Sequence, residues 1–126
     1  MRALISDLDG TLVHVPVDWL EVKRALSSIL GFEVTSIFEA LRRARAQDED
    51  LYMRLSRLIE DYEIKSMARL ETMRGSKRLL ESLKSMDVMI AIVTLQSERS
   101  LKMALEVSGL MPYVDAYVTR DEELDR

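Results

Sequence analysis

Seven consecutive residues, Val88-Met89-Ile90-Ala91-Ile92-Val93-Thr94, carry no charge and a single polar group, which comes last. So unbroken an apolar run reads as a strand covered on both faces, the situation of a strand inside a parallel sheet. The flanks support it. Before it, Gly75 and Ser76 open a helix with Leu79, Leu80, Leu83 and Met86 expected to face inward. After it, Ser97 caps a helix carrying Leu101, Ala104 and Leu105, with Gly109 in the stop position. Residues 115 to 119 then form another short strand, and residues 3 to 6 (Ala-Leu-Ile-Ser) form a first one that runs into an Asp-Gly turn.

Between the first strand and Gly75 the periodicity is helical. Asp18 and Glu21 make a capping-box pair, followed by Trp19, Val22, Leu26, Ile29 and Leu30, and a stop at Gly31. A second helix is expected over 36–46 with Ile37, Phe38 and Leu41. A third starts near Asp48, carries Leu51, Leu55, Leu58, Ile59 and Tyr62, and runs towards Leu70. No strand signal occurs from about residue 16 to 72. The order of elements predicts an α/β fold: a Rossmann-like parallel sheet formed by residues 1–13 and 74–126, with an all-helical cap over 14–73 inserted after the first strand.

The bulk properties narrow the function. A chain of 126 residues suits one domain, or one domain with a small insert. A net charge of −4 argues against nucleic acid or an anionic membrane as partner. There is no cysteine, so disulfides, thiolate metal sites and thiol nucleophiles are excluded. No apolar run approaches the ~18 residues that cross a bilayer, and the two aspartates come too early for a signal peptide. A cytoplasmic address is the expectation.

Chemistry concentrates at the strand ends. Ligands of parallel sheets bind beyond the carboxyl ends of the strands, and Asp7 and Thr94 occupy two such ends. Asp7 and Asp9, one residue apart, suit a division of labour in which one carboxylate attacks and the other, its pKa raised, moves the proton. A divalent cation would offset their repulsion, and Mg²⁺ suits an oxygen-only site. Gly10 and Thr11 could present amides to an anion, Thr94 adds a hydroxyl, and the amides of Leu95 and Gln96 precede a helix N-terminus.

These stretches resemble a known family. "DLDGT" after an apolar strand is similar to the first motif of the haloacid dehalogenase superfamily of aspartyl-phosphate phosphohydrolases, and "IAIVT" to the second. "MRGSKRLLESLKSMDVMIAIVT" and "GLMPYVDAYVTRDEE" resemble the phosphoglycolate-phosphatase-like branch, and the likeness spans essentially the whole chain. The resemblance implies that Asp7 is the nucleophile and that Asp9 protonates the leaving oxygen and then activates water. It implies Mg²⁺ on the Asp7 carboxylate and the Asp9 carbonyl, and phosphoryl oxygens on Thr94. The substrate would be a small phosphorylated metabolite, with a cap that closes over it.

Two departures stand out. Leu95 and Gln96 follow Thr94 where the family often has Asn or Gly, and the sequence ends at Arg126, before the family's third-motif Lys and late acidic ligands. On this reading the C-terminal strands of a three-layer sandwich are absent and the chain is a fragment or a truncated relative. The first strand would then be an open edge through which copies could pair as a homo-oligomer. Two alternatives stay beside the phosphatase: a catalytically impaired module that binds phosphate or forms oligomers, and a phosphomutase using the same Asp pair. Of the remaining polar residues, His14 reads as solvated or capping. Arg99, Lys102 and Arg120 could supply a cation near phosphate, with a solvated surface role as the default. The methionines read as core filler, and Trp19 and Phe38 as cap core.

Overall fold

The computed structural model describes residues 2–123. At its centre is the expected strand, β4 (Val88–Val93), with β1 (Arg2–Ser6) paired parallel on one side and β5 (Ala116–Val118) parallel on the other. Helix α4 (Ser76–Ser85) leads into β4, and α5 (Glu98–Ser108) leads from it towards β5. A single turn, Met111–Tyr113, precedes β5, and a short helix α6 (Arg120–Glu123) follows it. The α/β class and the parallel sheet are as the sequence predicts.

One expectation about β4 is corrected. Its residues alternate: Val88, Ile90 and Ile92 are buried, whereas Met89 and Val93 are exposed. The register explains why. Steps from β1 to β4 and from β4 to β5 run in one direction across the sheet, and right-handed crossovers then place α4 and α5 on the same face. The other face carries Ala3 and Ile5 of β1, Met89, Ala91 and Val93 of β4, and Ala116 and Val118 of β5, without a charge among them. Ile5 is 71% exposed. A second covered face requires connections that reverse direction, and no described strand does so. The other long edge of β1 has no strand beside it among the described residues.

The same half-covered sheet explains a second correction. Leu80 is wholly buried, but Leu79 is 50% and Met86 54% exposed. Neighbours on a helix point about 100° apart, so with one sheet face to cover only one stripe of α4 is buried. Four methionines expected in the core, Met53, Met73, Met86 and Met89, are also exposed, while Met67 is buried.

The expected absence of strands from about residue 16 to 72 is corrected at its end, where β3 (Glu71–Thr72) lies. β2 (Val13–His14) pairs antiparallel with β3 (Glu71–Thr72), Val13 opposite Thr72 and His14 opposite Glu71. Two bonds onto the Leu12 carbonyl, from the Met73 amide (2.9 Å) and the Ser76 hydroxyl (2.9 Å), continue the tie. Two-residue strands carry too little periodicity to be read from sequence.

The chain divides into two compact units, Met1–Pro16 with Ser66–Arg126, and Val17–Lys65. The second unit is helical: α1 (Trp19–Leu30), α2 (Ile37–Gln47) and α3 (Glu49–Ser66), the last followed by a single turn at Met67–Arg69 in the first unit. Both read N-caps form. Asp18 accepts from the Glu21 amide and Ser36 from the Glu39 amide, each at 3.2 Å. Gly31 closes α1 in the left-handed conformation. Val22, Leu26, Leu41, Leu55 and Ile59 are buried as their spacing requires, but Trp19 and Phe38 are exposed and not core. No described helix is long and apolar enough to cross a membrane.

Candidate active site

The site is built at the carboxyl ends of β1 and β4. Ser6 pairs with Ile92, so the chain leaves β1 at Asp7 and Leu8 alongside Val93 and Thr94. Parallel neighbours lie about 4.8 Å apart, which brings these strand ends to one edge of the sheet. Among the described strands the order runs one way, without the reversal that marks a switch point.

After Asp7 the backbone folds into a tight loop around one carbonyl. Leu8, fully buried, accepts at its oxygen from the amides of Thr11 (3.3 Å), Leu12 (2.9 Å) and Val13 (3.2 Å), and Gly10 donates to the Val13 carbonyl at 2.8 Å. Gly10 adopts φ 82°, open to glycine at little cost. The two aspartates meet different partners on this loop. Asp7 is exposed, and its Oδ1 accepts from the adjacent Leu8 amide at 2.9 Å. Asp9 is half-buried and accepts the Val15 amide at 2.8 Å, with His14 Nδ1 at 4.0 Å. His14 is exposed and outside hydrogen-bond range of Asp9, in keeping with a solvated role.

The amides of Gly10 and Thr11, expected to cradle an anion, are engaged by carbonyls of the loop itself. What these two residues provide is the shape that presents Asp7, together with the exposed Thr11 side chain.

On the β4 side, Thr94 and Gln96 are buried and Leu95 is exposed. The Thr94 amide donates to the Val118 carbonyl at 3.0 Å, and its Oγ1 accepts the Gln96 amide at 3.2 Å. Ser100 donates its hydroxyl to Gln96 Oε1 at 3.0 Å, and Ser97 caps α5 by accepting the Ser100 amide at 3.2 Å. The corner after β5 completes the support. Arg120 is buried and donates from its side chain to the Leu95 carbonyl at 3.1 Å and from its backbone amide to the Gln96 carbonyl at 2.9 Å. The Asp121 carboxylate accepts the Glu98 amide at 3.0 Å. Nothing in sequence spacing marks Arg120 or Asp121 as supports of a loop some 25 positions earlier; the β4–β5 register brings them there.

Lys102 is paired at the surface, as the solvated default expects. It lies 3.4 Å from Glu98, whose carboxylate also accepts the Tyr117 hydroxyl at 2.8 Å. The Tyr117 hydrogen bond, aided by Lys102, holds the Glu98 carboxyl below its ordinary range, and Tyr117 and Glu98 raise the Lys102 ammonium. Arg99 is exposed.

Among the described residues no three acidic or histidine side chains gather into a metal cage. The Asp7 carboxylate and the Asp9 main chain suit Mg²⁺ all the same, because that ion is usually held by one or two carboxylates with waters and phosphate oxygens.

Comparisons with known proteins bear on the family and the fold. The chain is 29% identical over 130 aligned positions to a phosphoglycolate phosphatase of Rhodospirillum rubrum, an alignment covering 86% of this chain and 54% of that protein. Its fold is similar to that of a protein described as a predicted phosphatase from Clostridium acetobutylicum (TM-score 0.68, 23% identity, 97% of this chain and 63% of that one). It is similar also to a hydrolase from Pseudomonas syringae (TM-score 0.68, 19% identity, 97% and 61%). The chain thus spans about half the length of the curated relative and less than two thirds of these structures. The family model described as haloacid dehalogenase-like hydrolase matches residues 4–125, and the chain belongs to that family.

Proposed function

We propose that this chain carries the attacking and phosphate-holding half of a Mg²⁺-dependent phosphomonoesterase that acts on a small phosphorylated metabolite. The observation behind the reading is the Asp7–Asp9 loop at the end of β1 lying beside the buried Thr94 at the end of β4. An Asp7 carboxylate oxygen attacks phosphorus and the ester P–O bond breaks, giving an aspartyl-phosphate. Asp9 gives its proton to the leaving alkoxide. It then takes a proton from water, which attacks phosphorus, releases inorganic phosphate and restores Asp7. Thr94, with the Leu95 amide, holds the phosphoryl oxygens, while the Gln96 amide, expected to join them, is engaged by Thr94 Oγ1. The resemblance to the aspartyl-phosphate phosphohydrolases implies Mg²⁺, an ion suited to carboxylate and phosphate oxygens. When bound through Asp7 and Asp9, the ion would offset phosphate charge. The lack of cysteine fits a cytoplasmic address.

The test is release of inorganic phosphate from p-nitrophenyl phosphate and from sugar phosphates, with Mg²⁺ and with chelator. Asp7→Asn is expected to remove turnover and leave the circular dichroism spectrum unchanged, while turnover equal to wild type would overturn the assignment. Rearranged sugar phosphate without phosphate release would identify a mutase.

The open edge of β1 and the charge-free sheet face favour a second reading, a module that associates with a second copy of itself. Two such faces meet without burying a charge, as a two-fold interface requires of a self-complementary patch. Sedimentation velocity decides. A concentration-dependent dimer supports the reading, and a strict monomer sinks it.

A further inference from the structure

We propose that Arg120 is a positioning residue that sets the Thr94 hydroxyl as a hydrogen-bond donor to phosphate, acting through the Leu95–Gln96 peptide; this rests on the phosphoryl-binding reading above. A trans peptide is planar, with its C=O and N–H pointing in opposite directions. In the unit joining Leu95 to Gln96, Arg120 Nη1 holds the oxygen end at 3.1 Å, so the hydrogen end is turned the other way, where it donates to Thr94 Oγ1 at 3.2 Å. The Arg120 amide holds the next carbonyl, that of Gln96, at 2.9 Å. One residue thus anchors two successive peptide units of the loop.

The consequence falls on Thr94. A hydroxyl has one donor and two acceptor positions, and the Gln96 amide fills an acceptor position. The hydroxyl hydrogen remains for a ligand, which suits a phosphoryl oxygen that can only accept. The same anchoring keeps the Leu95 and Gln96 carbonyl oxygens turned towards Arg120 and away from an anion they would repel. Arg120 itself is 2% exposed, so it acts from behind the loop and not by touching the ligand. A planar guanidinium suits this place because it stays charged when buried and its donors keep a fixed geometry.

The experiment uses Arg120→Met, Arg120→Lys and Thr94→Val, alone and combined, in the chain as it stands. The probe is inorganic phosphate with Mg²⁺, followed by calorimetry, and the Gln96 amide is followed by ¹H–¹⁵N spectroscopy. Arg120→Met is expected to weaken phosphate binding roughly tenfold, with Arg120→Lys restoring most of it. In the Thr94→Val background Arg120→Met should cost little more, because both changes break one chain of contacts. The Gln96 amide resonance should move in the same direction in Arg120→Met as in Thr94→Val.

Wild-type affinity in Arg120→Met, or a full further loss in the Thr94→Val background, would overturn the proposal while leaving the phosphoryl site standing. An unmoved Gln96 resonance would overturn it without reference to phosphate. Absence of phosphate binding by the wild type would overturn the phosphoryl-site reading and the Arg120 role with it. A purely structural Arg120 would lower thermal stability alike in both backgrounds and leave no coupling to Thr94.

Discussion

Asp7 and Asp9 differ in what the loop does to each. Asp9 accepts the Val15 amide and is half-buried, so its orientation is set by the backbone that follows, while Asp7 keeps an exposed carboxylate at the strand end. Their identity and spacing were readable from "DLDGT" alone. The inward turn of the Gly10 and Thr11 amides was not, because it depends on three amides converging on the Leu8 carbonyl. A residue of another kind, Asp115, had no functional signature and became structural. It takes both oxygens to Lys84 (2.9 and 2.7 Å) and accepts the Ile90 amide at 2.8 Å, joining the end of α4 to the start of β5. The Lys84 bond, then the Ile90 amide, hold its carboxyl below the ordinary value of 3.8. A lowered folded-state pKa means stabilisation that is present above the ordinary value and is lost as pH falls through the lowered one. Asp115→Asn is therefore expected to melt below wild type near neutral pH. The gap should close as the pH is lowered through the carboxylate range, as thermal unfolding at stepped pH will show. A gap independent of pH would contradict the assignment.

At the level of single elements, helix boundaries were the most legible feature. Ser36, Asp18 and Ser97 each cap the helix their position announces, and Gly31 and Gly109 end the helices that precede them. Capping is a contact between residues three apart and needs no distant partner. Which face of β4 is covered could not be read, since Val88 to Val93 are apolar at both parities. The structure divides them, and the division is measurable. Ile90→Ala removes a wholly buried side chain packed under the helices and is expected to cost about 2–5 kcal/mol. Val93→Thr, on the open face, should stay within roughly ±0.5 kcal/mol. Urea unfolding of both variants provides the check, and equal losses would mean that both faces are covered in solution.

For the molecule as a whole, the order β1-β4-β5 leaves one sheet face open and the outer edge of β1 open as well, with β5 as the opposite edge strand, among the described residues. Parallel sheets normally have both faces covered, and an apolar edge strand is a template for pairing with another chain. Ile5 lies where the two openings meet, exposed on the edge strand and on the charge-free face. If copies pair through this face, as proposed above, Ile5→Lys is expected to abolish that pairing by placing a charge there, and to leave the fold intact because Ile5 is largely exposed. Sedimentation velocity and circular dichroism together test this. Unchanged association would remove β1 and its face from the interface.

Local chemistry determined much of this protein from sequence alone: the aspartate pair after a short apolar strand, the capped helices, the α/β order of elements, and the family those motifs resemble. Each rests on residues within a few positions of one another, where covalent spacing is enough. Tertiary structure decided the rest: the half-covered sheet, the exposed methionines, the β2–β3 ribbon, and the buried Arg120 behind the Thr94 loop. These depend on strand order and register, and the burial of a side chain depends on which distant element is laid across it.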